Sequence, residues 1–177
     1  MNFKSLKNII SRCRVWLAVV VLLFSVLQNG FGTFPKIFGA RALLLIPLVT
    51  AIAMYERDIA GMLYGLFAGA LWDIFASGNN FNAIYLLVVG FVCGSLINTI
   101  MRNNIVTHFM LSAIATLLYS LGYWGYHFIF GGLDKTILIL FKFYLPSTIY
   151  TVLLTPLIFL IVRAIEQKYK VDAFAQL

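Results

Sequence analysis

Metal binding is the first chemistry to test, because the sequence contains two histidines and two cysteines. His108 and His127 lie in one apolar run, and 19 positions on a helix separate them by about 28 Å, too far to share an ion. Cys13 precedes the first apolar run and Cys93 lies inside the fourth. Two separate thiols form no metal-binding framework. We therefore expect neither a metal nor another cofactor.

Nucleophilic catalysis is the second possibility, because Asp73, Ser77 and His127 all lie near the ends of apolar runs. A hydrolase would need a hydrogen-bonded chain through these three side chains. The sequence around Ser77 has no nucleophile motif, and no phosphate-binding or dinucleotide-binding glycine loop occurs. We therefore predict a protein that is not an enzyme.

The most specific pattern is a series of glycines that ends in a carboxylate, GMLYGLFAGALWDIFASG. Residues four apart advance about 40° beyond a full helical turn, so the glycines and Asp73 follow one slowly turning stripe. Glycines on such a stripe let another helix approach closely, and the following apolar run has its own glycine pair. The predicted helix-packing residues are Gly61, Gly65, Gly69, Gly90 and Gly94.

Composition places these residues in a lipid bilayer. Of 177 residues, 62% are hydrophobic and 11% are charged, and the mean hydropathy is +0.96, outside the range of soluble domains. The net charge of +7 is concentrated at the ends and in short connectors. It therefore indicates membrane topology, and we expect no nucleic-acid partner.

Six membrane spans follow from the apolar runs. We predict an all-α fold, a single domain formed by a compact bundle of six transmembrane helices, because backbone groups in lipid must be satisfied within helices. Pro47 is expected to bend the second helix, and residues 136–144 either extend the last span or lie at the interface. The spans are about 15–34, 40–55, 59–76, 81–101, 105–130 and 145–162.

The positive charges predict the orientation of the bundle. With an even number of spans, nine of the 13 Lys and Arg residues share a face with both termini, which the positive-inside rule makes cytoplasmic. A cleavable signal peptide is the competing interpretation of the first span, but its apolar character continues through Phe34. The four cations of the outer face are Lys36, Arg41, Lys135 and Lys142.

Asp73 is the charged member of the glycine stripe. A carboxylate within a membrane costs about 2.5 to 3.5 kcal/mol on insertion scales, so we expect it to have a partner or a function. Arg41 and Lys142 belong to the same outer face, and we predict Arg41 as the first partner, with Lys142 in competition. This buried charge either couples conformational changes or only fixes helix packing.

The glycine segment, the following NAIYLLVVGFVCGSLI and the final LPSTIYTVLLTPLIFLIV resemble the rod shape-determining protein MreD family, over about residues 43–165. This resemblance implies a non-enzymatic component of the cell-elongation machinery in the bacterial inner membrane. The implied partners are an MreC-like bitopic membrane protein and, through it, the actin-like filament and the peptidoglycan synthase complex. Asp73 would then be a structural or coupling residue.

A transporter component is the alternative. The substrate-binding S components of energy-coupling-factor vitamin transporters are similar in size, helix number and glycine content. That resemblance implies an outer pocket for a small molecule, formed by Asp73, Arg41, Trp72 and Trp124. The small-residue motif expected on the first helix is missing, because Leu22 follows Ala18 after four positions.

Overall fold

The computed structural model describes residues 3–30, 41–75, 81–131 and 144–174. Within these ranges the regular secondary structure is entirely helical. Each helix contains a segment long and apolar enough to cross a membrane, so the predicted all-helical, multi-pass class is confirmed for these residues. The helices are α1 (Phe3–Asn29), α2 (Leu45–Phe75), α3 (Asn82–Thr99), α4 (Ile105–Gly131) and α5 (Leu145–Phe174).

The predicted count of six helices is not matched, because α2 includes both the second and the third predicted span. Only Arg57 departs from helical geometry within α2, with φ 72° and ψ −172°. The chain reverses there: a Cβ placed on Gly61 would lie 2.6 Å from the Cβ of Ala53, whereas eight positions of straight helix span about 12 Å. Helix α2 therefore has two arms packed side by side, the first arm (residues 45–56) and the second arm (residues 58–75).

The first arm lies at the centre of the bundle. Every residue from Leu45 to Met54 is buried, and α1, α4 and α5 all contact α2. Its sequence is apolar on all sides, which suits a helix surrounded by other helices. The arm is about 18 Å long, shorter than a hydrocarbon core of about 30 Å.

Pro47 does not bend this arm as expected. It is the third residue of α2, and the first four residues of a helix have no intrahelical acceptor for their N–H groups. A proline in the first turn therefore loses no helical hydrogen bond. The one interruption of α2 lies instead at Arg57.

The ends of α1 and α5 that are nearest to the chain termini lie together. The Cys13 thiol donates a hydrogen bond to a carboxylate oxygen of Glu166, with a distance of 3.7 Å from Sγ to Oε1. The charged turn at residues 56–58 lies at the same end, because Arg14 pairs with Glu56. Large apolar side chains such as Leu153 point outward and are exposed, as expected of helices that face lipid.

Candidate functional site

The second arm of α2 packs against α3 with backbone almost touching backbone. A Cβ placed on Gly65 would lie 2.7 Å from the carbonyl carbon of Leu86, and one on Gly69 would lie 2.6 Å from the carbonyl oxygen of Asn82. A real Cβ atom essentially never comes within 3.0 Å of a heavy atom outside its own residue and its neighbours along the chain. Both positions therefore require glycine, because a backbone cannot move aside as a side chain can.

Gly61 lies where three helical segments meet. A Cβ on this residue would lie 2.6 Å from the Cβ of Ala53 in the first arm and 2.8 Å from the carbonyl oxygen of Gly90 in α3. Toward the turn, a Cβ on Gly94 would lie 2.6 Å from both the N and the Cα of Asp58. The glycine surface thus continues along α3 to the point where α2 reverses direction.

Asp73 caps the N-terminus of α3. Its carboxylate accepts hydrogen bonds from the backbone N–H groups of Asn82, at 3.2 Å, and Ala83, at 2.9 Å. These residues begin α3, and the N-cap residue Phe81 has no side-chain acceptor to offer. A carboxylate at this position satisfies N–H groups that the helix leaves unpaired, and it interacts favourably with the helix dipole. Asp73 supplies this cap from the preceding helix.

The ion pair expected between Asp73 and Arg41 does not form. Among the residues that the structure describes, Asp73 has no ion-pair partner, and Arg14 pairs with Glu56. Two backbone donors stabilise the Asp73 carboxylate in place of a cation, and the Arg41 side chain is exposed. Lys142 lies outside the described residues.

Aromatic side chains join this cap to α4. Trp72 is buried, and its ring centroid lies 5.3 Å from that of Tyr119. The Tyr119 hydroxyl donates a hydrogen bond of 2.8 Å to the side-chain oxygen of Asn82. The rings of Tyr85 and Tyr119 meet edge to face at 5.2 Å. Trp72, Asp73 and Asn82 therefore participate in packing three helical segments together.

A second polar cluster lies at the opposite end of the second arm. Arg14 Nε donates to Glu56 Oε2 at 2.9 Å, and the Tyr64 hydroxyl donates to the Arg14 carbonyl at 2.9 Å. The ligand-type atoms of Cys13, Glu56 and Glu166 all lie within 4.8 Å of one another. Thiolate and carboxylate atoms at this spacing are of the kinds that ligate zinc. The cluster joins α1, α2 and α5.

Sequence reasoning missed this cluster, because Cys13 and Glu166 are 153 positions apart. One signal was available: Glu166 follows the buried Val162 by four positions, so both lie on one helix face. An acidic residue on a buried face needs a partner.

His108 links α4 to the first arm. Its Nε2 atom lies 2.9 Å from the carbonyl oxygen of Pro47 and 3.1 Å from the hydroxyl oxygen of Thr50. Its ring stacks on Phe159 with centroids 5.1 Å apart. This buried histidine therefore serves helix packing. Ser77 and the side chain of His127, the other members of the hydrolase considered from sequence, lie outside what the structure describes.

Comparisons with protein-family models, with curated proteins and with solved structures found no match. The fold and the site together define a helical protein of multi-pass membrane type. Its most specific feature is a glycine-packed hairpin of two helices, the second of which is capped by Asp73.

Proposed function

We propose that this chain is a non-enzymatic component of the bacterial cell-elongation machinery. It would help couple peptidoglycan synthesis to the cytoskeleton through helix-mediated assembly with an MreC-like bitopic membrane protein. The supporting observation is the hairpin of the second arm and α3, the segment that resembles the MreD family most specifically. Its glycines and Asp73 are used for close helix packing and for capping, which suits a scaffold.

The same observation disfavours the vitamin-transporter alternative. In that alternative Asp73 and Trp72 would contact a small molecule in an outer pocket. The Asp73 carboxylate instead accepts two backbone hydrogen bonds, and Trp72 is buried against Tyr119. A ligand would have to displace these contacts, and each lost hydrogen bond to a charged group costs about 1.5 to 3 kcal/mol.

The proposed location is the bacterial inner membrane, with both termini in the cytoplasm. The contact between Cys13 and Glu166 supports a common face for the two termini. The first arm is too short to span the hydrocarbon core as a helix alone, but it ends at Glu56, which pairs with Arg14 on α1. The chain therefore returns to the end that carries Arg14 before it reverses at Arg57, which supports an even number of passes. The excess of Lys and Arg expected on that face supports its being the cytoplasmic one.

This function can be tested by depleting the protein in the bacterium that produces it. We expect depleted cells to lose their rod shape, and we expect the tagged chain, purified in mild detergent, to retain an MreC-like bitopic protein. Cells that keep their shape, together with a purified chain that a vitamin stabilises against heat, would contradict the scaffold and support the transporter component.

A further inference from the structure

A cavity of about 540 Å³ lies between α1 and the second arm, at the face that carries the 56–58 turn. This volume is within the range of about 300–1,000 Å³ that is typical of ligand sites. The lining is amphipathic, because charged residues of the turn and of α1 adjoin apolar residues further along the second arm, among them Leu63 and Phe67. The charged lining residues are Arg14, Glu56, Arg57 and Asp58.

The four charges are balanced but not all paired. Arg14 and Glu56 neutralise each other at 2.9 Å. Arg57 and Asp58 form no ion pair with any side chain in the described ranges. The cavity therefore presents one available guanidinium beside one available carboxylate, at the charged end of an apolar groove.

The backbone of Arg57 is a second, independent observation. Its φ of 72° and ψ of −172° lie in a region that glycine occupies readily and that other residues adopt only with strain. Such strain is concentrated at binding and switch sites. A glycine would form this turn more easily but would bring no guanidinium to the cavity.

We propose that this cavity binds a zwitterionic phospholipid with a primary ammonium headgroup, phosphatidylethanolamine, with its phosphate on Arg57, its ammonium on Asp58 and its hydrocarbon against Leu63 and Phe67. Guanidinium groups bind phosphate through paired hydrogen bonds. A primary ammonium donates hydrogen bonds to a carboxylate, as a lysine does. An anionic lipid would satisfy Arg57 and leave Asp58 with no cation. A choline headgroup has no N–H group to donate.

Lipid binding to the full-length chain tests the proposal. The chain is purified in mild detergent, stripped of lipid, and mixed with phosphatidylethanolamine, phosphatidylcholine or phosphatidylglycerol of matched acyl chains. Native mass spectrometry gives the number of lipid molecules bound to each chain. The shift in the thermal unfolding temperature measures how much each lipid stabilises the chain. We expect phosphatidylethanolamine to bind at one molecule per chain and at least fivefold more tightly than either of the other lipids.

The variants separate the two contacts. Asp58→Asn should remove the preference for phosphatidylethanolamine over phosphatidylcholine. Arg57→Gln should weaken the binding of all three lipids. Arg57→Gly should also lose the lipid while it folds at least as well as the wild type, because glycine relieves the strained turn. Arg102→Gln is the matched control, since Arg102 is exposed and lies outside the cavity.

Several results would overturn the proposal. The wild type could bind the ethanolamine and choline lipids equally, or bind phosphatidylglycerol more tightly. Arg57→Gly and Asp58→Asn could also keep the wild-type lipid profile. A chain that retains no lipid and binds a partner helix at this groove would also overturn it.

Discussion

The two ends of the second arm stabilise their carboxylates in different ways. At one end, Asp73 accepts hydrogen bonds from the backbone of Asn82 and Ala83. At the other end, Glu56 pairs with Arg14, a long side chain that is 55% exposed. The backbone donors are fixed by the position of α3, whereas the arginine can rearrange.

This difference follows from the helix that each carboxylate faces. Asp73 faces α3, which the glycines hold so close that the start of α3 lies within hydrogen-bonding distance, whereas Glu56 faces Arg14 of α1. The turn at residues 56–58 opens instead onto a cavity and onto the end of α1. The Asp73 end of the second arm is therefore suited to rigid packing. The end that carries the turn at residues 56–58 is suited to contacts with lipids or partners at the membrane face.

The largest expected effect comes from removing the close approach. We expect Gly65→Leu to lower the free energy of unfolding by about 3 kcal/mol or more, because overpacking against a backbone cannot be relieved by a rotamer change. Gly122→Leu is the matched control, since a Cβ there would meet no other described atom within 4 Å. Denaturant titration in detergent measures both, and equal stability of the two variants would refute tight packing at Gly65.

Loss of the cap should have the next largest effect. Asp73→Ala removes both hydrogen bonds to α3, and we expect a loss of about 1 to 2 kcal/mol in the free energy of unfolding, as for other N-caps. Asp73→Asn keeps one acceptor oxygen and should lose less. Arg41→Gln should leave stability unchanged, and a loss equal to that of Asp73→Ala would favour the ion pair expected from sequence.

In contrast to the two preceding substitutions, a glycine at Arg57 should stabilise the chain. We expect Arg57→Gly to raise the free energy of unfolding of the lipid-free chain by about 1 kcal/mol, because positive φ costs glycine little. Arg102→Gly, in an exposed connector at the same end, should give no such gain. If Arg57→Gly is the less stable of the two variants, the side chain of Arg57 contributes more than its backbone strain costs.

The smallest effect is expected for the pair of Arg14 and Glu56. A double-mutant cycle with Arg14→Gln and Glu56→Gln should give a coupling free energy of about 0.2 to 1 kcal/mol, because Arg14 is more than half exposed. The coupling should decrease when salt is added. A coupling as large as the effect of Asp73→Ala would remove the contrast between the two ends.

The sequence predicted the features that depend on local periodicity. The four-residue spacing places Gly61, Gly65 and Gly69 on one stripe, and each lies at a close backbone approach. The predicted spans of about 40–55 and 59–76 imply a reversal between them, which occurs at Arg57. The count of six helices is not matched there, because a single non-helical residue separates two arms of the continuous helix α2.

Contacts between distant elements were beyond sequence reasoning. Hydropathy and charge placed Asp73 near a membrane face with Arg41, but they could not show that the Asp73 carboxylate would accept hydrogen bonds from the N–H groups of α3. Asp73 lies near the C-terminal end of its own helix, where the helix dipole disfavours a carboxylate, whereas the N-terminal dipole of α3 favours it. The meeting of Cys13 with Glu166 depends on how α1 and α5 pack, which no local pattern encodes.

Hydrogen–deuterium exchange at the start of α3 tests most directly the claim that Asp73 joins the two helices as a cap. We expect Asp73→Ala to speed exchange of the Asn82 and Ala83 amides about tenfold, the factor that corresponds to a cap of about 1.4 kcal/mol. Arg41→Gln should leave these amides unchanged. Unchanged exchange in Asp73→Ala, or equal acceleration in Arg41→Gln, would contradict the capped hairpin.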